Sequence, residues 1–326
     1  MNPDTHKNVA DTGFPASGSP REKLGYAVKC AIVAAPSDGQ HPPLIRITDT
    51  HVALAVPRQH LLADDTNERN SIVHCGAMLF RLRLAMKCLG CLGRVELFPD
   101  LDRAGLMANL HLGLCSPAGP QESPLFAAMS SPGLIDPMSE PPMSVGMLDV
   151  FENAVAGEKA WMEFSRSEAS RNHLAALASA ARAPAVPLQS LTFYVRPGDM
   201  SVSKVRSNAS PSNSMAEMAV IKTKTDDKRG WLATGQALAR VTLLAKTSNI
   251  SCRVFGQAFR HRYARESLRT AIGHKGFAQA IVGLGHPQAQ PTTAPVMEMF
   301  GQHGFEPEII SPETIPAAWR PPSPPP

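Results

Sequence analysis

The side chains best suited to chemistry are the cysteines and histidines, and their spacing argues against the usual roles of both. Cys88 and Cys91 form a lone Cys-x-x-Cys. A tetrahedral zinc site needs a second soft pair at matched spacing, and the sequence has none. A redox dithiol needs its first cysteine exposed at a helix start, whereas this pair closes an apolar helical pattern. The six cysteines fall mostly within apolar patterns, as small buried thiols that stay reduced in a cytoplasm. The 11 histidines form no His-x-x-x-His and no Cys/His array, so no metal site is assigned. There is no phosphate loop with its Lys and Ser/Thr, no nucleophile elbow and no dinucleotide fingerprint. No side chain receives a catalytic role, and hydrolase and kinase chemistries have no starting residues.

Composition narrows the classes further. A chain of 326 residues with 43% apolar content is long enough for a large core. Its net charge of +4 is spread along the sequence. The densest basic stretch, 260–275, sets Arg262, Arg265 and Arg269 on one helical face, which reads as a solvated surface and leaves no nucleic acid partner. Residues 1–20 are polar, include Pro15 and Pro20, and are expected to be disordered with no secretory signal. No apolar run is long enough to span a membrane. The expectation is a cytoplasmic protein with no membrane partner.

Positioning elements follow from periodicity. Leu24, Val28, Ala31, Ile32 and Ala35 recur at helical spacing over 21–35, and Pro36 ends that helix. The period then changes to two: Ile45 and Ile47, a polar turn, then Val52, Leu54 and Val56 predict a β-hairpin. Leu79, Leu82, Met86 and Leu89 form a buried helical stripe with Arg83 and Lys87 on another face, stopped by Gly90 and Gly93. Val95, Leu97 and Phe98 begin a strand, and 106–114 form another. Residues 116–143, rich in Pro, Ser and Met, read as a connector. Ser144 caps a helix burying Met147, Leu148, Phe151 and Val155, and Ser165 with Glu168 forms a capping box for a helix over 165–182. Strands are expected at 191–195, 216–223, 250–255 and 280–284, with a helix around 263–272. The Ser- and Asn-rich loop 198–214 is a candidate lid, and 321–326 is a tail with no means of packing.

Two of these helices look like copies. Gly, Leu, Arg, Leu and Lys recur in the same order at 76/235, 79/238, 81/240, 84/243 and 87/246, the mark of a tandem duplication. The ends of the two halves also match: Ala-Asn-Leu-His-Leu-Gly over 108–113 and Ala-Ile-Val-Gly-Leu-Gly over 280–285. A crevice between two such halves is the expected ligand site.

Three stretches carry a resemblance to a known family. Ala35-Pro36-Ser37 follows the first helix and precedes the hairpin. Asp65-x-x-x-Arg69 leads into Cys75-Gly76-Ala77-x-Leu79. Thr223, Trp231-Leu232, Gly235-Gln236-Ala237-Leu238, Arg240-Val241 and Gln257 follow in order. In sequence order these strings resemble the nitroreductase fold, and within it the tandem, Acg-like branch of flavin mononucleotide (FMN) oxidoreductases, over about 21–312. The resemblance implies an α+β fold class: two fused nitroreductase-like halves with antiparallel-rich sheets flanked by helices, a pseudo-dimeric single chain. The halves are 21–118 and 144–318, joined by a connector at 119–143, with a Pro-rich tail at 319–326. In such relatives FMN lies between the halves and passes hydride from NAD(P)H to a nitro compound, quinone or similar small-molecule acceptor. The resemblance places Ser37, Gln40, Thr223, Gln257 and Gly285 around the flavin. For Ser37, Cys75 and Gly76 a purely structural role, in a turn or in close packing, stays open beside flavin contact. The chain departs from the pattern where the family holds phosphate. Gln-Pro-Trp is replaced by Pro42-Pro43-Leu44, and the Arg-rich string falls on Ser131-Pro132-Gly133-Leu134-Ile135. A catalytically degenerate relative, serving flavin sequestration or protein interaction, is therefore the alternative reading. The fused chain is expected as a monomeric pseudo-dimer or as a homodimer.

Overall fold

A computed structural model describes residues 13–33, 43–61, 65–100, 105–114, 118–130, 138–139, 143–168, 170–172, 174, 217–255, 265, 269 and 275–287. The first helix, α1 (Pro20–Val33), starts where local chemistry can close its end. Ser19 N–H donates to Glu22 Oε2 at 2.7 Å, and Glu22 N–H donates back to Ser19 Oγ at 3.3 Å. Pro20 fills the first helical position, where no amide is needed. Leu24, Ala27, Val28 and Ala31 are buried on one face, as the helical spacing predicts.

The hairpin forms as expected from β1 (Leu44–Ile47) and β2 (His51–Ala55), in register Ile47↔Val52. After the short α2 (Arg58–Leu61) comes α3 (Asp65–Cys88), which starts well before the repeated segment. Its stripe of Leu79, Leu82, Met86 and Leu89 is buried. Gly90, at φ +68°, ends it in the left-handed region that glycine tolerates. β3 (Leu92–Leu97) and β4 (Leu106–Leu112) complete an antiparallel sheet of order β1-β2-β4-β3. Phe98, expected within the strand, instead turns out of it at φ +52°.

Residues read as connector contain structure. The helix α4 (Glu122–Met129) buries Leu125, Ala128 and Met129, and the two-residue β5 (Met138–Ser139) pairs with His286 and Pro287. The helical triplet 125/128/129 is short, and the surrounding Pro and Ser masked it in the sequence. α5 (Val145–Ala156) is capped as predicted, with Ser144 Oγ accepting from Met147 N–H, and it buries Phe151 and Val155. β6 (Ala160–Phe164) was not anticipated. The capping box at Ser165 is corrected. Ser165 Oγ donates to the Ser167 carbonyl, and it is Ser167 Oγ that accepts from Ser170 N–H at 3.2 Å.

β7 (Glu217–Thr223), α6 (Lys228–Thr247), β8 (Ser251–Phe255) and β9 (Phe277–Pro287) form the second part. Antiparallel pairing runs β6-β7-β9, with β5 and β8 also on β9. Every residue of α6 from Gly230 to Ala239 is buried, which marks it as a central helix and not a surface one. Its hydroxyls are satisfied within the helix: Thr234 Oγ1 donates to the Gly230 carbonyl and Thr242 Oγ1 to that of Leu238, both at 2.8 Å. One continuous apolar core runs from Leu24 in α1 through both sheets to Leu284 in β9. The architecture is α+β, two antiparallel sheets flanked by helices. The strand expected at 191–195, the loop 198–214, the terminal segments 1–12 and 319–326 and most of 256–274 lie outside the described residues.

Candidate functional site

The repeated helices α3 and α6 pack against each other at their repeated glycines. A β-carbon on Gly76 would collide with the Leu232 carbonyl, and one on Gly235 with the Val73 carbonyl. The offset relating Gly76 to Gly235 also relates Val73 to Leu232, so the contact is reciprocal, as at a two-fold interface. Only residues without a side chain allow this approach. Glu158, at the end of α5, is nearly inaccessible and ties both helices together. It accepts from Arg83 Nη1 at 2.9 Å and Arg240 Nη1 at 3.0 Å, while Arg83 also donates to Gln236 Oε1 at 2.6 Å.

Above the crossing, at the start of α6, lies a buried polar network. Gln279, fully buried in β9, accepts from Arg69 Nη2 through both its backbone carbonyl, at 2.6 Å, and its Oε1, at 3.1 Å. Its Nε2 donates to Thr223 Oγ1 at 3.0 Å and to Asp226 Oδ1 at 3.1 Å. Asp226 also accepts from Trp231 Nε1 at 2.7 Å and pairs with Arg265 Nε at 3.0 Å. Burial by itself raises the Asp226 pKa, but the Trp231, Gln279 and Arg265 donors outweigh it and hold the carboxyl below its ordinary range. The rim carries Arg229 stacked over Phe98, 5.2 Å from the ring centroid, and Lys228 paired with Glu68 at 2.9 Å. The network thus joins α3, the β7–α6 turn and β9 at the boundary between the two sheets.

Of the five residues expected around a flavin, Ser37, Gln40 and Gln257 lie outside the described residues. Thr223 belongs to the network. Its hydroxyl donates to the Thr225 carbonyl at 2.8 Å and accepts from Gln279. Gly285 pairs with Ser251 at the other end of β9, whereas Thr223 stands opposite Phe277. At about 3.3 Å per residue, the two are on the order of 25 Å apart along the strand. The structure therefore does not bring these two together. The N-terminus of α6, the natural place for a phosphate, is taken by the chain itself: Asp227 Oδ1 accepts from Arg229 N–H at 2.9 Å and Gly230 N–H at 3.0 Å. The Arg229 and Gly230 amides are therefore not free to bind a flavin phosphate.

Sequence reasoning singled out Arg69, Thr223 and Trp231 as pieces of motifs but missed Asp226 and Gln279. A signal for Gln279 was available: it is the one polar side chain in the otherwise apolar stretch 277–282, and a buried amide must be hydrogen-bonded.

No family model and no curated protein matches the chain. Among solved structures it is similar to nitroreductase A from Vibrio parahaemolyticus, at TM-score 0.37 and 13% identity over 53% of this chain and 71% of that one. It is similar to the NADPH:FMN oxidoreductase from Vibrio harveyi, solved with NAD+, at TM-score 0.37 and 13% identity over 53% and 72% of the two chains. A nitroreductase with bound FMN from Desulfitobacterium hafniense aligns at TM-score 0.38 and 14% identity over 53% and 94%. No helix among the described residues is long and apolar enough to cross a membrane.

Proposed function

We propose that the chain consists of two fused nitroreductase-like halves and acts as an FMN-dependent NAD(P)H oxidoreductase with a small-molecule acceptor. The observation that carries this reading is the reciprocal contact of Gly76 and Gly235. Copies of one helix meeting each other at equivalent positions are what a duplicated, pseudo-dimeric scaffold requires. The ordered strings at Ser37, Cys75-Gly76 and Gly235 to Val241 support the family. Flavin contact falls to Ser37, Gln40 and Gln257 with Thr223 or Gly285, and the protein's own part is binding and orientation, since the redox chemistry belongs to the cofactor.

A second reading is favoured by specific observations. The Thr223 hydroxyl and the first amides of α6 are already bonded within the chain, and uncharged residues occupy 131–135. A degenerate relative would keep the scaffold for flavin sequestration or interaction without turnover. The two separate in one experiment. Bound FMN is released by heat from the purified full chain in both readings if sequestration persists, but only the oxidoreductase bleaches its flavin when mixed anaerobically with NADH or NADPH.

A further inference from the structure

The outer face of the first sheet carries a second group of chemically able side chains, away from the helix crossing. His51 on β2 and His111 on β4 are directly opposed in the ladder, and their ring centroids are 5.2 Å apart. Each ring is oriented by a partner on one nitrogen. His51 Nδ1 lies 3.1 Å from Thr48 Oγ1 and 3.0 Å from Thr50 Oγ1, in the hairpin turn. His111 Nε2 lies 2.9 Å from Glu96 Oε2 on β3. A carboxylate can only accept, so His111 donates from Nε2 and its lone pair is on Nδ1. Ligation by His51 requires the tautomer in which Nδ1 donates to a threonine hydroxyl, which leaves the lone pair on Nε2.

We propose that His51 and His111 form a cross-strand binding site for a late divalent transition metal, of the zinc, nickel or copper class. The spacing fits. A metal–nitrogen distance of about 2.0–2.1 Å plus roughly 1.2 Å to the ring centre puts each centroid about 3.2 Å from the ion, and a tetrahedral angle then separates the centroids by about 5.2 Å. The partners fit as well: a ligating imidazole usually donates its other N–H to a carboxylate or other acceptor, as His111 does to Glu96. Arg46 and Arg94 also face this cluster. Arg94 is paired with Glu96 at 2.8 Å, which offsets its charge. No group of three or more His, Cys, Asp or Glu among the described residues is placed to hold a metal, so this is a two-nitrogen site with water completing the shell. Its metal preference follows the imidazole order, copper above nickel and zinc. Bound metal clips β2 to β4 beside the hairpin turn.

The test is titration of metal-free full-length protein with zinc chloride, read by calorimetry and by the ring resonances of the two histidines. The site predicts that zinc shifts both rings, that His51→Ala and His111→Ala each weaken binding at least about tenfold, and that Glu96→Gln weakens it roughly 10–100-fold. Circular dichroism checks the fold of each variant, and His51→Gln and His111→Gln replace any that unfold. Wild-type rings unmoved by zinc, or affinity unchanged in both histidine variants, would overturn the proposal. The second result would assign binding to others of the chain's 11 histidines.

Discussion

A β-carbon on Gly76 would stand 3.1 Å from the Cα of Gly235, and one on Gly235 would stand 2.9 Å from the Cα of Gly76. Two helices held this closely cannot accept even a methyl group without moving apart, and each would then lose contact along its buried length. Gly76→Ala and Gly235→Ala should each destabilise the fold by about 1–3 kcal/mol or more, the usual range for overpacking. Because both substitutions open the same contact, the double variant should cost less than the sum of the two. Denaturant unfolding of the three variants checks both statements.

Asp226 gathers Trp231, Gln279 and Arg265 on one carboxylate. Asp226→Asn keeps the shape but removes the charge beside a nearly inaccessible guanidinium, at a cost of about 2–4 kcal/mol. The carboxyl's folded pKa lies below its unfolded value. Its contribution is therefore complete above the unfolded pKa, about 3.9, and is lost as pH falls through the folded pKa. Acid unfolding of wild type against Asp226→Asn should converge in that window. Curves that remain parallel there would show that Asp226 is not the titrating group.

Glu158 is the common acceptor for Arg83 and Arg240, whose side chains are 34% and 22% exposed against 2% for Glu158. That exposure of the arginines lets water take over part of the lost interaction. Glu158→Gln should cost about 2 kcal/mol, below the 3–5 kcal/mol expected for breaking a fully buried pair. Thermal and urea unfolding give the value directly.

Lys246, in the last turn of α6, has its pKa lowered to about 8 by burial and by Arg81. The folded state therefore releases this proton earlier than the unfolded chain, whose lysine titrates near 10.4. The sign is that stability rises with pH from about 8 to about 10.4 on this account. Lys246→Met should remove that rise, seen as a flatter plot of unfolding free energy against pH.

Helices and hairpin were legible because their burial is periodic and local: Leu79, Leu82, Met86 and Leu89 announce α3, and Val52 with Leu54 announces β2. β6 was hidden because Trp161 and Glu163 alternate with buried Ala160, Met162 and Phe164 over only five residues, directly after a helix. α4 was hidden by the prolines around it. The site was less legible than the fold. Thr223 and Gly285 both carry family-like strings, yet their separation along β9 is a property of strand register, which no local pattern encodes. Asp226, Gln279 and Arg69 meet across more than 200 positions of sequence, and the packing of α3 against α6, which itself lies on the second sheet, brings them together.

The reading of this chain as a flavin oxidoreductase is tested most directly by titrating the purified full-length protein with FMN and adding NADH or NADPH anaerobically. The account predicts saturable FMN binding followed by loss of the oxidised flavin absorbance, restored by a quinone or nitro compound. A protein that neither carries flavin when heat-denatured nor takes it up on titration would contradict it.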